Sequence, residues 1–237
     1  MLAGGQPAPH VGMRTLIRSA ATAAAAIPIM IIISAVPTAA AQRAPAKEPA
    51  MEGYVWGSEP LNPNYFPNTG YEYNSAGGRI QILRHGIGRY QVRFYDMAGR
   101  GGVAHVSAYG SDKVCSVASW GPSEGDEVVY LRCFATGTGA AADTRFIVHV
   151  TNRTDGPARG YLLSSDPMPP AGGYELTFPK AAATGGHAFA SIMGTPPMYC
   201  VIQSWFPIGN HLRVLVRCYG PGGAPSPGAV LNVGFFT

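Results

Sequence analysis

The sequence predicts an all-β fold made of two tandem, disulfide-stapled antiparallel β repeats, each sandwich- or barrel-like. Three observations lead there. First, Cys115-x4-Trp120-x12-Cys133 recurs at identical spacing as Cys200-x4-Trp205-x12-Cys218, and these are all four cysteines of the chain. Second, the chain beyond residue 52 alternates short apolar runs with Gly, Pro, Asn and Asp, and no stretch carries helical periodicity. Third, 31 Gly and 21 Pro would by themselves suggest disorder, but an aromatic content of 10% and repeated apolar alternation fit turn-rich β structure instead.

The N-terminus directs export. Arg14 and Arg18 precede an apolar stretch from Ala20 to Val36 that ends in the small residues Ala39, Ala40 and Ala41. That order of charge, apolar run and small residues is a secretory signal peptide over 1–41, cleaved near Ala41. Pro28 and Pro37 interrupt the run, and no charge cluster stops transfer beyond it, so an uncleaved anchor is the weaker reading. Met13 can itself begin a signal peptide, which makes 1–12 an over-extended start or, alternatively, a functional leader. Removing Arg14 and Arg18 from the 17 basic residues leaves 15 against 13 acidic ones, a charge of +2. Nothing there resembles the clustered Lys and Arg of a nucleic-acid surface or a polybasic membrane patch, and no membrane span follows cleavage.

The elements follow in order. Residues 42–52 are a Pro/Ala linker, and 53–151 form the first repeat, with strands expected at 54–56, 71–74, 80–84, 90–94, 103–109, 115–120, 128–134 and 146–150. A polar linker with Gly and Pro, 152–159, cannot continue a strand. The second repeat, 160–237, has strands expected at 161–163, 174–178, 187–193, 200–205, 212–219 and 230–236. The likeness extends beyond the cysteines, since Gly88-Arg89-Tyr90 aligns with Gly172-Gly173-Tyr174 and Gly101-Gly102 with Gly185-Gly186. Only the first repeat carries an aromatic-rich insertion over 62–84.

A copied unit carries its own staple, so duplication selects Cys115–Cys133 and Cys200–Cys218 from the three possible connectivities. Export and evenly used cysteines both imply an oxidising compartment. If each stapled pair forms a regular hairpin, Val117 faces Leu131, Ser119 faces Val129, and Trp120 faces Val128 on the other surface. The same register sets Trp205 opposite Arg213, within reach of a cation–π contact. A disulfide joining two sheets is the competing geometry.

The signal peptide, the Gly-Tyr-Val-Trp opening at 53–56, Tyr-x-Tyr-Asn-Ser at 71–75 and the Cys...Ser-Trp-Gly-Pro...Arg-Cys-Phe segment resemble a group of uncharacterised small secreted proteins of high-GC bacteria. The resemblance covers most of the first repeat and implies secretion and a duplicated β fold. It implies no catalytic residue.

Gly121-Pro122-Ser123-Glu124-Gly125 satisfies G-x-S-x-G, with Asp143 and His149 following in hydrolase order. A nucleophile elbow needs a strand-to-helix turn, and here two strands flank the serine; the aligned segment at 206–210 lacks it, so the match reads as accidental. Glu124, Asp126 and Glu127 read as a solvated turn rather than a calcium site. His85, His105, His149, His187 and His211 occupy no equivalent repeat positions and show no metal-ligand spacing, so neither a metal nor a cofactor is expected. Trp56, Tyr65, Phe66, Tyr71 and Tyr73, together with Tyr54, are the candidate binding residues, because exposed planar side chains stack on sugar rings or anchor partners. The expected function is a secreted, non-catalytic binding or structural protein of the cell envelope or extracellular space, with a glycan or protein ligand. A secreted hydrolase is one alternative. A protease inhibitor presenting the loop 121–127 is the other.

Overall fold

A computed structural model describes residues 50–153, 160–164, 173–194 and 196–237 of the chain. The expected signal peptide, its expected cleavage site and most of both linkers lie outside these residues. The strands are β1 (Glu52–Gly57), β2 (Asn64–Tyr65), β3 (Glu72–Asn74), β4 (Ile80–Gly86), β5 (Arg89–Phe94), β6 (Val103–Tyr109), β7 (Lys113–Ser123), β8 (Asp126–Ala135) and β9 (Arg145–Thr151), then β10 (Gly160–Ser164), β11 (Gly173–Phe178), β12 (His187–Met193), β13 (Tyr199–Ile208), β14 (His211–Tyr219) and β15 (Val230–Phe236). All strands expected from alternation are present, and β2 is added. Among the described residues the only helical pieces are two 3-10 turns, Thr69–Tyr71 and Pro221–Gly223. Among the described residues no helix is long and apolar enough to cross a membrane.

The strands form three sheets, ordered β3-β1-β9-β6, β10-β15-β12-β7-β8-β5-β4-β2 and β11-β14-β13. In the N-terminal half β1 and β6 flank β9, while β5 and β7 flank β8. In the C-terminal half β10 and β12 flank β15, while β11 and β13 flank β14. The four pairings therefore recur strand for strand. The insertion over 62–84 lengthens two sheet edges of the first half, placing β3 beside β1 and β2–β4 beside β5.

Each half has its own core. In the first, Val55, Phe146, Val148 and Val150 meet Ile80, Ile82, Tyr90, Phe94, Val129 and Leu131. In the second, Leu231, Val233 and Phe235 meet Tyr174, Leu176, Phe178, Leu212, Val214 and Val216. Strand β14 shows why alternation was so readable: Leu212, Val214, Val216 and Cys218 are buried while the residues between them are not. Each such apolar side chain contributes about 1.5–3 kcal/mol on burial.

The halves are joined rather than strung apart, because β12 meets β7 in parallel through Met193 and Val117, and the Gly194 amide donates to the Val117 carbonyl at 2.8 Å. Both belong to one unit, Ala46–Thr237. The second half also covers the outer edge of β6. The Ser191 hydroxyl accepts from the Val106 amide at 3.0 Å, and Asn232 Nδ2 donates to the Ala104 carbonyl at 2.9 Å. Side chains thus satisfy backbone groups that an edge strand would leave unpaired.

Both disulfides, Cys115–Cys133 and Cys200–Cys218, join directly opposed residues of neighbouring strands, with Cα–Cα separations of 4.1 and 4.0 Å. That closeness belongs to the narrow, non-hydrogen-bonded pair of an antiparallel ladder. The inter-sheet geometry is thereby replaced by a within-hairpin staple.

The regular hairpin register does not hold past the cysteines. A bulge at Ala118 sets Ser119 opposite Tyr130 and Trp120 opposite Val129, and an equivalent bulge at Gln203 sets Trp205 opposite Val214. An extra residue on one strand reverses which face every later side chain occupies. Trp120 and Trp205 consequently turn back to the cysteine face and pack against the first and second cores. Trp205 meets Phe235 edge-on at 5.3 Å, whereas Arg213 lies opposite Phe206 and pairs with Glu175. The expected Trp205–Arg213 contact is absent for that reason.

Candidate functional site

The opening strand β1 reads Glu-Gly-Tyr-Val-Trp-Gly, and its alternation divides two jobs. A Cβ at Gly53 would lie 2.9 Å from the Phe94 ring, and one at Gly57 would lie 2.6 Å from Phe146. The inward glycines thus let two core rings approach the strand. Outward, Tyr54 lies opposite Tyr73 of β3 and His149 of β9, and His149 lies opposite His105 of β6. In the next row Trp56, Ile147 and Ser107 align.

These rows make an aromatic surface on the outer face of the four-stranded sheet. Tyr54 stacks on Tyr73 with centroids 5.7 Å apart, and Trp56 meets Tyr71 at 5.0 Å and Tyr109 at 5.6 Å, both edge-on. The Arg145 guanidinium lies 5.5 Å from the Tyr109 centroid. Tyr54, Tyr71, Tyr73, Tyr109 and Ile147 are between 42% and 55% exposed. The indole N–H of Trp56 is buried and has no hydrogen-bond partner.

Of the five candidates from sequence, Trp56, Tyr71 and Tyr73 share this face. Tyr65 does not. It is 8% exposed, its hydroxyl accepts from the Glu59 amide at 3.2 Å, and burial pushes its phenol pKa up. Phe66 makes a separate stack with Tyr95 at 6.3 Å, under the Arg79 guanidinium at 5.3 Å. Tyr109, Ile147 and His149 were not foreseen, because they arrive from β6 and β9 by pairing distant in sequence.

Beyond Ile147 and His149 the surface drops into a cleft of about 590 Å3 between the two halves. One wall is aromatic, formed by Phe189 of β12 and Phe236 of β15, nearly parallel at 5.1 Å, with His187 stacked beside both at 5.6 and 5.9 Å. His105 and His149 meet Phe189 edge-on at 4.0 and 5.9 Å. A Cβ at Gly234 would lie 2.7 Å from the Phe189 ring and 3.1 Å from His105 Nε2, so glycine there admits both rings. Lys113, Val114, Cys115, Tyr199 and Cys200 complete the lining.

His105 is buried with no partner on either ring nitrogen. Burial, with the neighbouring His149 adding a smaller push, holds its pKa well below the usual imidazole value. His149 Nε2 lies 3.7 Å from Glu52 Oε1, and Glu52 also pairs with Arg153 at 3.3 Å. The gathering of His105, His149 and His187 was invisible in sequence spacing. Even so, no group of three or more His, Cys, Asp or Glu among the described residues is arranged to hold a metal ion.

The hydrolase-like residues are dispersed. Ser123 ends β7 and pairs with Asp126 across the two-residue turn Glu124-Gly125, whose φ values of 56° and 92° are those of a tight hairpin turn. Asp143 accepts from Arg84 at 3.0 and 2.8 Å, from the Gly88 amide at 2.9 Å and from the Tyr90 hydroxyl at 2.8 Å. Burial opposes its ionisation, but these donors outweigh it and hold its pKa low. His149 belongs to the other sheet. The segment 121–127 is thus mostly strand, with only its two-residue turn projecting as a loop.

The acidic run is not a solvated turn as a whole. Glu124 is exposed, but Asp126 is held by Arg93 at 2.9 Å and by the Asp96 amide at 2.9 Å, and Glu127 is buried on the core face beside the Gly99 backbone. Alternation sends Asp126 and Glu127 to opposite faces, so they cannot share an ion. No protein-family model, curated protein or solved structure matches the chain.

Proposed function

We propose that the chain is an exported, non-catalytic binding protein that contacts a glycan or protein of the cell envelope or extracellular space through the outer face of its four-stranded sheet. The carrying observation is the grouping of Tyr54, Trp56, Tyr71, Tyr73 and Tyr109 on that one face, in two sets of ring contacts, with the four tyrosines about half exposed and Trp56 partly so. A monomer gains little from leaving such rings exposed, whereas rigid planar side chains bury a large area on contact at small rotamer cost. Two disulfides and the signal-like N-terminus favour an oxidising compartment.

The recurring strand pairings and the equivalent bulges at Ala118 and Gln203 favour descent from a duplicated unit. In that reading the insertion made the difference. It supplies Tyr71 and Tyr73, which the second half lacks.

The test is to screen the purified protein against glycan arrays, peptidoglycan and extracellular proteins, with Trp56→Ala and Tyr73→Ala as probes. A ligand whose affinity falls about tenfold or more in either variant supports the reading. A ligand bound equally by both variants removes this face as the contact surface.

A further inference from the structure

Resting on that reading, the geometry points to a ligand class and a second part of the same site: a neutral saccharide that lies along the aromatic face and seats its terminal ring or rings in the cleft between the halves. The cleft volume of about 590 Å3 is within the range of small-ligand sites, about 300–1,000 Å3, and accommodates about one or two pyranose-sized rings. Its lining also matches a sugar. A pyranose presents an apolar C–H face surrounded by hydroxyls, and the cleft presents the partly exposed Phe189 ring, backed by the nearly parallel and buried Phe236, together with the exposed His187 imidazole and the lining residues His149, Ser107 and Tyr199. Flat carbon and ring-edge hydrogen-bonding groups thus occur together.

The charges in the cleft are already matched. Lys113 pairs with Asp112, and Glu52 pairs with Arg153 and faces His149. A charged ligand would have to break such a pair, which makes an uncharged one the better match. The two parts are also continuous. His149 lies opposite Tyr54 on the exposed face and contacts Phe189 and Phe236 inside the cleft, so the row Tyr73, Tyr54, His149 leads from one to the other. Along that row Tyr54 and Tyr73, stacked 5.7 Å apart, give the flat contact surface.

The test titrates the purified protein with chitotetraose, cellotetraose, maltotetraose and mannotetraose, reading affinity by calorimetry and the imidazole resonances of His149 and His187 by NMR. Ser107→Trp fills the cleft mouth from an exposed position, and His187→Ala removes one ring of the wall. The expected result is binding of at least one tetrasaccharide with movement of both imidazole signals, weakened about tenfold or more by each variant. Binding that Trp56→Ala or Tyr73→Ala weakens, but that neither cleft variant changes and neither imidazole senses, overturns the cleft inference and leaves the sheet-face reading standing. Binding only to an anionic glycan or a protein, still dependent on Trp56, overturns the ligand class alone. Absence of any Trp56-dependent ligand sinks both.

Discussion

The Ser191 hydroxyl holds both backbone groups of Val106, accepting from its amide at 3.0 Å and donating to its carbonyl at 3.3 Å. With Asn232, which donates to the Ala104 carbonyl, this side chain closes the free edge of β6 against the second half. Replacing it by alanine leaves a buried N–H without a partner, at a cost of about 1–3 kcal/mol. Ser191→Ala is therefore expected to lower the denaturation midpoint and to speed hydrogen exchange at the Val106 amide more than at amides of β8. Unchanged exchange at Val106 would show that the edge is protected by something else.

Two buried groups give stability opposite pH dependences. Burial raises the Glu127 pKa from 4.5 to about 7, so its unfolded form ionises first and stability falls as pH rises from about 4.5 to about 7. His105 is depressed from 6.5, so its unfolded form takes up a proton first and stability falls as pH drops below about 6.5. Below about 6.5 the two slopes oppose each other, neither steeper than about 1.4 kcal/mol per pH unit. Relative to the parent, Glu127→Gln should lose stability as pH falls through this window, whereas His105→Leu should lose it as pH rises. Chemical denaturation at half-unit intervals measures both. Parallel profiles for variant and parent would contradict the assignment for that residue. At pH 8 the Gln variant should be more stable than the parent by about 3 kcal/mol, the free energy of a shift from 4.5 to about 7.

The strands were legible because alternation is local. Val103–Tyr109, His187–Met193 and Val230–Phe236 were expected with their observed boundaries. Disulfide pairing was legible because the duplicated spacing served as an internal control. The bulges were not, since Ala118 and Gln203 are ordinary residues whose types carry no sign of an irregular ladder. Nor was the cleft, because His105, His149 and His187 meet through the pairing of β6 with β9 and the docking of β12 on β6. Tyr65 was misread for a different reason: a two-residue strand is too short for alternation to separate an inward ring from an outward one.

Each bulge has a measurable consequence. Deleting Gln203 restores a regular ladder and turns Trp205 from Phe235 and the second core toward solvent. The loss should be about 2–3 kcal/mol from the exposed indole, with a red-shifted emission and stronger acrylamide quenching. Unaltered emission would mean that Trp205 reaches the core without the bulge.

Each staple should be separable from the other. Peptide mass spectrometry without reduction should recover Cys115 linked to Cys133 and Cys200 linked to Cys218, and replacing either pair by serine should cost about 3 kcal/mol in the chain-entropy account. A Cys115–Cys200 link would overturn the within-hairpin arrangement.

The most direct test of the central claim is a footprint of the bound state. With a ligand found by screening, hydroxyl-radical labelling of free and bound protein should show protection concentrated at Tyr54, Trp56, Tyr71, Tyr73 and Tyr109. Protection confined to other exposed rings, such as Phe66 or Phe206, with the sheet face labelled equally in both states, would contradict it.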